Sequence, residues 1–184
     1  MEDGQVFKLG LIGHTKNSLK GIDIAIKALS CLGDRFFLEV AGRGEYDSYM
    51  KMAENLGCKD RVKFLGALAA GQELFEWIDS LDIYIQPSRI EGLPRATIES
   101  MSRACPAVTS DAGALLKLID AEFVFSVKEP EKFADLVAKM AKKETMLIQA
   151  KRNFEKSKKY EVKERDRKYN EFYSKVIDAI KMKK

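Results

Sequence analysis

The stretch Asp82–Glu99, DIYIQPSRIEGLPRATIE, contains a buried strand, a polar loop and the start of a helix. Within the run Asp82–Ser88, the residues Ile83, Tyr84 and Ile85 are apolar at consecutive positions, which is typical of a strand covered on both faces. Glycine and proline then interrupt the pattern, and Pro94 stands where the first turn of a helix can begin. A buried strand followed by a short loop and a helix is the repeating unit of a parallel α/β sheet.

The same unit recurs along the chain, with segments of helical period between short apolar runs. Six such runs predict two three-stranded halves joined by right-handed crossovers, which is a doubly wound, Rossmann-like α/β sheet over residues 1–141. Residues 142–184 change to a charged helical pattern and predict a C-terminal helical extension that packs on this domain or on another surface. The predicted strands are Phe7–Gly13, Phe36–Gly42, Val62–Gly66, Asp82–Ser88, Ala107–Ser110 and Phe123–Val127.

The composition excludes several classes of protein. The 184 residues are 46% hydrophobic and 33% charged, which suits one folded domain and not a disordered chain. Three cysteines lie far apart and match neither a disulfide framework nor a zinc motif, so we expect reduced thiols and a cytoplasmic location. The sequence has no apolar run near the ~20 residues of a membrane-spanning helix.

Charge is distributed unevenly along the chain. Residues 1–140 carry 17 basic and 21 acidic side chains, whereas residues 141–184 carry 15 and 7. The basic tail has two interpretations: peripheral contact with an anionic membrane at the inner face of the cell membrane, or a terminal helix that returns to another domain with solvated lysines. A nucleic-acid partner is disfavoured, because no aromatic-rich basic groove is apparent.

Ligands of doubly wound sheets bind where the strand order reverses, which for the order 3-2-1-4-5-6 is between the loops after strands one and four. The first loop, residues 13–21, is polar and carries His14, Lys16 and Lys20. Its amides and ammonium groups can hold phosphate oxygens. The alternative, a capped helix start with solvated lysines, stays open.

The second loop supplies an amide-lined helix start between two acids. Gly92 permits close approach of a ligand, and the helix terminus offers free N–H groups to an anion. Glu91 precedes that terminus, and Glu99 lies about 7.5 Å along the helix from Pro94. The two carboxylates can thus reach opposite ends of one bound molecule. A lone Gly-x-Gly at residues 42–44 indicates only a strand-to-helix turn.

These residues together resemble the C-terminal domain of group 1, family 4 glycosyltransferases of the GT-B fold. The resemblance is carried by Glu-x7-Glu within PSRIEGLPRATIESMSRACPAVTSDAG (87–113), and by KGIDIAIKAL (20–29), LEVAGRGE (38–45) and RVKFLG (61–66) in the family's order. It implies a retaining transferase that moves a sugar from a nucleoside-diphosphate sugar to a glycan or lipid-linked acceptor. It implies no metal and no cofactor besides this donor substrate.

The resemblance also implies roles for single residues. Lys20, with the amides of Gly92 and Leu93 beside Pro94, would contact the donor diphosphate. Glu99 would bind the ribose diol, and Glu91 would contact the transferred sugar near the reaction centre. The residues Gly66 and Ala67 would border the base.

Two departures from the family pattern bear on function. The family's arginine in the first loop is absent, and Lys16 or His14 stands in its neighbourhood. The N-terminal GT-B domain, which carries the acceptor site, has no counterpart in these 184 residues. We therefore expect the chain to need that half as a partner. The alternative is a non-catalytic nucleotide-sugar-binding or assembly subunit.

Overall fold

The computed structural model describes residues 4–16 and 18–181. Six parallel strands form one sheet in the order β3-β2-β1-β4-β5-β6, so the predicted doubly wound architecture is confirmed. The strands are β1 (Phe7–Ile12), β2 (Phe36–Ala41), β3 (Val62–Gly66), β4 (Ile83–Gln86), β5 (Ala107–Ser110) and β6 (Val124–Phe125).

The helices form two layers over the sheet. They are α1 (Ile22–Cys31), α2 (Asp47–Asn55), α3 (Gln72–Asp79), α4 (Arg95–Ser102), α5 (Leu115–Leu118), α6 (Lys132–Met140), α7 (Lys143–Ser157) and α8 (Val162–Lys181). α1 packs against α2 and α6, whereas α4 packs against α3 and α7. Every residue of β4 and β5 is buried, the polar Gln86, Thr109 and Ser110 included, as expected for central strands covered on both faces.

The hydrophobic core follows the helical and strand periodicities of the sequence. Leu9 and Leu11 of β1 are buried between the layers, and Ile22, Ile26 and Leu29 form the buried stripe of α1. This packing fixes the start of α1 directly behind the end of β1. The loop between them, which contains a short 3-10 turn at Ser18–Lys20, is therefore held at the carboxyl edge of the sheet.

The extension after residue 141 contains two different helices. α7 is fixed to the body: the Asn153 amide donates to the Cys105 carbonyl at 3.0 Å, and Asp120 accepts hydrogen bonds from Lys156 at 2.6 Å and Arg152 at 2.8 Å. α8 has no buried residue among those described, and its aromatic stripe is exposed. The predicted boundary at residue 141 stays a prediction.

Among the described residues, no helix has the length and apolar character needed to cross a membrane.

Candidate donor site

The candidate site lies at the carboxyl edge of the sheet, where β1 is flanked by β2 on one side and β4 on the other. Two loops leave the sheet at this point, residues 13–21 after β1 and residues 87–94 after β4. The sequence predicts these two loops as the ligand-binding pair, and the observed strand order brings them side by side.

The two loops pack tightly against each other. Gly21 has φ +70°, and a Cβ at this position would lie 1.9 Å from the Pro87 carbonyl oxygen, so only glycine fits. The backbone N–H of Arg89 donates to the Leu19 carbonyl at 2.8 Å, and its guanidinium donates to the Ser18 carbonyl at 2.6 Å. The polar loop after β1 is thus built onto the loop after β4.

A bidentate ion pair secures the same junction. The guanidinium of Arg89 donates to both carboxylate oxygens of Asp23, at 2.8 and 2.7 Å. Burial alone would raise the pKa of Asp23, but the hydrogen bonds and charge of Arg89 hold it below its ordinary value. Because Asp23 is in the first turn of α1, this pair connects the helix behind Lys20 to the chain just before Glu91.

Lys20 and Glu91 meet across the two loops. The Lys20 ammonium lies 2.5 Å from Oε1 of Glu91, and the Ser88 hydroxyl donates to the same oxygen at 2.8 Å. The Glu91 side chain is only 7% exposed, whereas that of Lys20 is 34% exposed. The buried carboxylate is therefore held in place by the Ser88 hydroxyl and the Lys20 ammonium. The ammonium itself remains accessible to an anion from solvent.

The segment Gly92–Pro94 leads into α4. A Cβ at Gly92 would meet no atom within 4 Å, so the space next to its backbone is open. Within the described part of the chain, the amides of Gly92 and Leu93 donate no hydrogen bond. Pro94 immediately precedes the first helical residue, Arg95. These amides and the helix terminus favour an anion beside Lys20.

The second acid of the motif, Glu99, lies one helical turn further along α4 and is partly buried. Burial raises the pKa of Glu99, while the charge of Arg95 opposes the shift. Its position at i+4 from Arg95 fixes it on the same helix face. A carboxylate here can accept two hydrogen bonds from a vicinal diol.

A cleft of about 280 Å³ lies at the ends of β1, β2 and β3. Ala67 and Leu68 line it together with His14 and Arg43, and the lining is mostly apolar. Gly66 lies at its edge, where its carbonyl accepts a hydrogen bond from the Gly42 N–H at 2.7 Å. A flat aromatic ring with polar edges suits such a lining. A larger groove is lined only by residues of the exposed helix α8, and none of the predicted site residues is among them.

The remaining candidate, Lys16, is exposed in the turn after β1. Its backbone N–H donates to Nδ1 of His14 at 3.0 Å. The structure therefore brings together Lys20, Glu91 and the Gly92–Pro94 segment, and it leaves Lys16 at the rim. Among the described residues, no group of three His, Cys, Asp or Glu side chains is arranged to hold a metal ion.

Three contributors to the site lie outside the sequence prediction: Arg89, Asp23 and Gly113. Gly113 has φ +54°, and a Cβ there would lie 1.9 Å from the Glu91 carbonyl oxygen. The loop after β5 thus supports the backbone that carries the first acid. The positive φ has a signal in the sequence, because glycine is the residue that adopts it most readily. The Arg89–Asp23 pair has none, since its members are 66 residues apart.

A family model described as glycosyl transferases group 1 matches residues 7–160, most of the chain. The chain belongs to this family. The match begins at the first residue of β1 and ends after α7, so it covers the whole sheet and both candidate loops of this group 1 glycosyl transferase domain.

Named relatives agree with this assignment. Over 140 residues the chain is 34% identical to protein CapJ of Staphylococcus aureus, covering 74% of this chain and 36% of that protein. Over 116 residues it is 29% identical to the lipopolysaccharide core biosynthesis mannosyltransferase LpsB of Rhizobium meliloti, covering 60% of this chain and 32% of that protein. The chain therefore spans about a third of the length of these relatives.

Solved structures share the fold. HepE of Anabaena, crystallised with UDP and glucose, superposes with a TM-score of 0.82 at 21% identity, covering 93% of this chain and 49% of that one. The C-terminal domain of a group 1 glycosyl transferase from Francisella tularensis superposes with a TM-score of 0.74 at 20% identity, covering 85% of this chain and 87% of that one.

Proposed function

We propose that this chain is the donor-binding half of a retaining glycosyltransferase that moves a sugar from a nucleoside-diphosphate sugar to a glycan or lipid-linked acceptor. The observation that carries the proposal is the meeting of Lys20 with Glu91 beside the open amides of Gly92 and Leu93. A sugar diphosphate requires positive charge and N–H donors at its diphosphate, and Lys20 and the two amides supply them. It also requires an acceptor for its sugar hydroxyls, and the carboxylate of Glu91 supplies one.

The diphosphate would bind to Lys20 and to the amides of Gly92 and Leu93. During transfer, negative charge develops on the leaving diphosphate, and preplaced cations and N–H dipoles stabilise that charge without reorganisation. Lys16, at the rim of the same loop, would supply a second positive charge as the donor binds. In this proposal the cations and amides do the work of a metal ion, so binding would persist in a chelator.

The rest of the donor would extend to both sides of the diphosphate. Glu99 would accept hydrogen bonds from the ribose diol, and the base would enter the cleft bordered by Gly66 and lined by Ala67. Glu91 would contact hydroxyls of the transferred sugar. This order agrees with the positions of the two acids, one before α4 and one within it.

The acceptor site would belong to an N-terminal GT-B domain, since the chain spans only about a third of the relatives' length. The exposed stripe of α8, with Tyr169, Phe172 and Tyr173, would pack against that domain. We expect the isolated chain to bind a nucleoside diphosphate and to transfer no sugar. Transfer by the purified chain alone would refute this part of the proposal.

The membrane interpretation of the basic tail has its own test. If α8 packs against the partner domain, co-sedimentation with liposomes should not depend on their content of anionic lipid. Pelleting that rises with anionic lipid would instead support action as a peripheral protein on the cytoplasmic side of the membrane.

Calorimetry with UDP, GDP and ADP, each with and without EDTA, tests the donor assignment. One of them should bind, and Lys20→Ala should weaken it about tenfold or more, because a charge-assisted hydrogen bond contributes ~1.5–3 kcal/mol. Glu99→Ala should weaken it similarly. Lys51→Ala, on an exposed position of α2, is the matched control and should change nothing. Unchanged affinity in both site variants would reject the assigned roles.

A non-catalytic subunit would use the same site, and the missing loop arginine favours this second function. Adding the N-terminal half of a family member as a separate protein distinguishes the enzyme from the non-catalytic subunit. Sugar transfer that depends on Lys20 supports the enzyme, and donor binding without transfer supports the subunit.

A further inference from the structure

One face of β4 carries a continuous row of buried polar side chains that the assigned roles do not use. Tyr84, Gln86 and Ser88 alternate along the strand and its exit, so their side chains share one face. All three are fully or almost fully buried. In a central strand of a parallel sheet such positions are ordinarily apolar, and buried polar groups cost free energy unless hydrogen-bonded.

The row is hydrogen-bonded from end to end. The Tyr84 phenol donates to Oε1 of Gln86, the Gln86 amide donates to Ser88 Oγ at 2.7 Å, and the Ser88 hydroxyl donates to Oε1 of Glu91 at 2.8 Å. The chain of bonds starts in the core and ends on the carboxylate that also holds Lys20.

The protonation of Tyr84 determines which group is the donor in each of these hydrogen bonds. Burial and the nearby carboxylates of Glu91 and Glu99 raise the pKa of Tyr84 far above its ordinary value, so the phenol stays protonated and acts as donor. The Gln86 carbonyl therefore faces Tyr84, and its NH2 group faces Ser88. Ser88 has accepted one bond and must send its single proton to Glu91. The row thus delivers a hydroxyl donor to the carboxylate of Glu91.

We propose that Gln86 and Ser88 are positioning residues that hold Oε1 of Glu91 so that its second oxygen is presented to the sugar of the donor. Oε1 already receives the Ser88 hydroxyl and the Lys20 ammonium. In the described part of the chain, Oε2 accepts no hydrogen bond, so it is the oxygen left for a ligand hydroxyl. This inference rests on the proposed function, because it assumes that Glu91 contacts the sugar.

The test measures how much the sugar adds to nucleotide affinity, using UDP against UDP-glucose and GDP against GDP-mannose by calorimetry. Ser88→Ala should lower about tenfold the ratio of the affinity for the sugar-bearing nucleotide to the affinity for the bare diphosphate, since only the sugar is assigned a contact with Glu91. Tyr84→Phe should lower the affinity for the sugar-bearing nucleotide, relative to the bare diphosphate, by a smaller factor. The reason is that the Gln86 amide loses the hydroxyl that orients it. Ser110→Ala is the matched control: Ser110 is equally buried and donates to the Ser88 backbone carbonyl, not to its side chain.

A double variant separates positioning from general stability. Ser88→Ala combined with Glu91→Gln should lose no more sugar-dependent affinity than Glu91→Gln alone. Additive losses, or an unchanged ratio in Ser88→Ala, would overturn the inference while leaving the donor assignment intact. If the unmodified chain binds a nucleoside diphosphate but gains nothing from its sugar, the role of Glu91 and this inference both fail. If it binds neither ligand, the proposed function itself fails.

Discussion

Removing the guanidinium of Arg89 should cost far more stability than its position in a surface loop indicates. Arg89→Ala deletes three hydrogen bonds, two to Asp23 and one to the Ser18 carbonyl. The Asp23 side chain is only 16% exposed, so the variant leaves a largely desolvated carboxylate without its partner. Breaking a fully buried pair costs ~3–5 kcal/mol, and partial exposure here reduces the expected loss to about 2 kcal/mol.

Urea denaturation at pH 7 measures this loss directly, and thermal unfolding should show a decrease in Tm of about 4–8 °C for a chain of this size. Arg103 provides a matched control, because it makes a bidentate pair with Asp79 in which both side chains are over 40% exposed. Arg103→Ala should cost below about 1 kcal/mol. Equal losses in the two variants would refute the argument that burial of Asp23 sets the magnitude.

The pH dependence gives a second check with a definite sign. In the unmodified chain the pKa of Asp23 is lowered, so its contribution is present above the unfolded value of about 3.9 and is lost as pH falls through the folded value. In Arg89→Ala, the hydrogen bonds and charge that lower the pKa of Asp23 are gone. Burial then raises that pKa. The deficit of the variant should therefore shrink as pH falls from 7 toward the unfolded value. A deficit that grows on acidification would contradict this account.

Three further outcomes are expected. Burial would raise the pKa of Asp120, but hydrogen bonds from α7 outweigh it and hold the pKa at about 2. Asp120→Asn should therefore lower the free energy of unfolding by about 2 kcal/mol at pH 7 and by little below pH 2. In the unmodified chain this stabilisation should be lost as pH falls from about 4 to about 2. A pH-independent difference would contradict this. Gly21→Ala should weaken nucleotide binding and lower Tm, since its Cβ would collide with a backbone carbonyl at 1.9 Å; unchanged binding by calorimetry would show that the loop shifts freely. A thiol reagent should modify exposed Cys31 in the folded chain, whereas Cys105, buried and with its pKa raised to about 12, should react only after unfolding; early loss of a second thiol would refute this.

The sheet could be predicted from sequence because its signal is local. Strands buried on both faces are apolar at consecutive positions, and all six predicted strands are present. The last is shorter than predicted, at Val124–Phe125, and pairs only with β5. The four-residue helix α5 has too few turns to produce a periodic signal.

The site was predictable to the level of which loops meet. Lys20 and Glu91 belong to motifs at the ends of β1 and β4, and the topology brings those ends together. The supports of these residues were not predictable, because they depend on pairings across the fold. Arg89 is one charged residue among many in sequence, and only the structure shows that it meets Asp23. Gln86 and Ser88 likewise become a connected row only when the strand is formed.

The central claim is that an anionic nucleotide binds where the loops after β1 and β4 meet. Backbone amide shifts of the 15N-labelled chain, recorded while the tightest-binding nucleoside diphosphate is added, test it most directly. We expect the largest changes at Gly92 and Leu93, with further changes at Lys20 and along the cleft at Ala67. Changes concentrated on α8, or saturation without movement of the Gly92 and Leu93 signals, would contradict it.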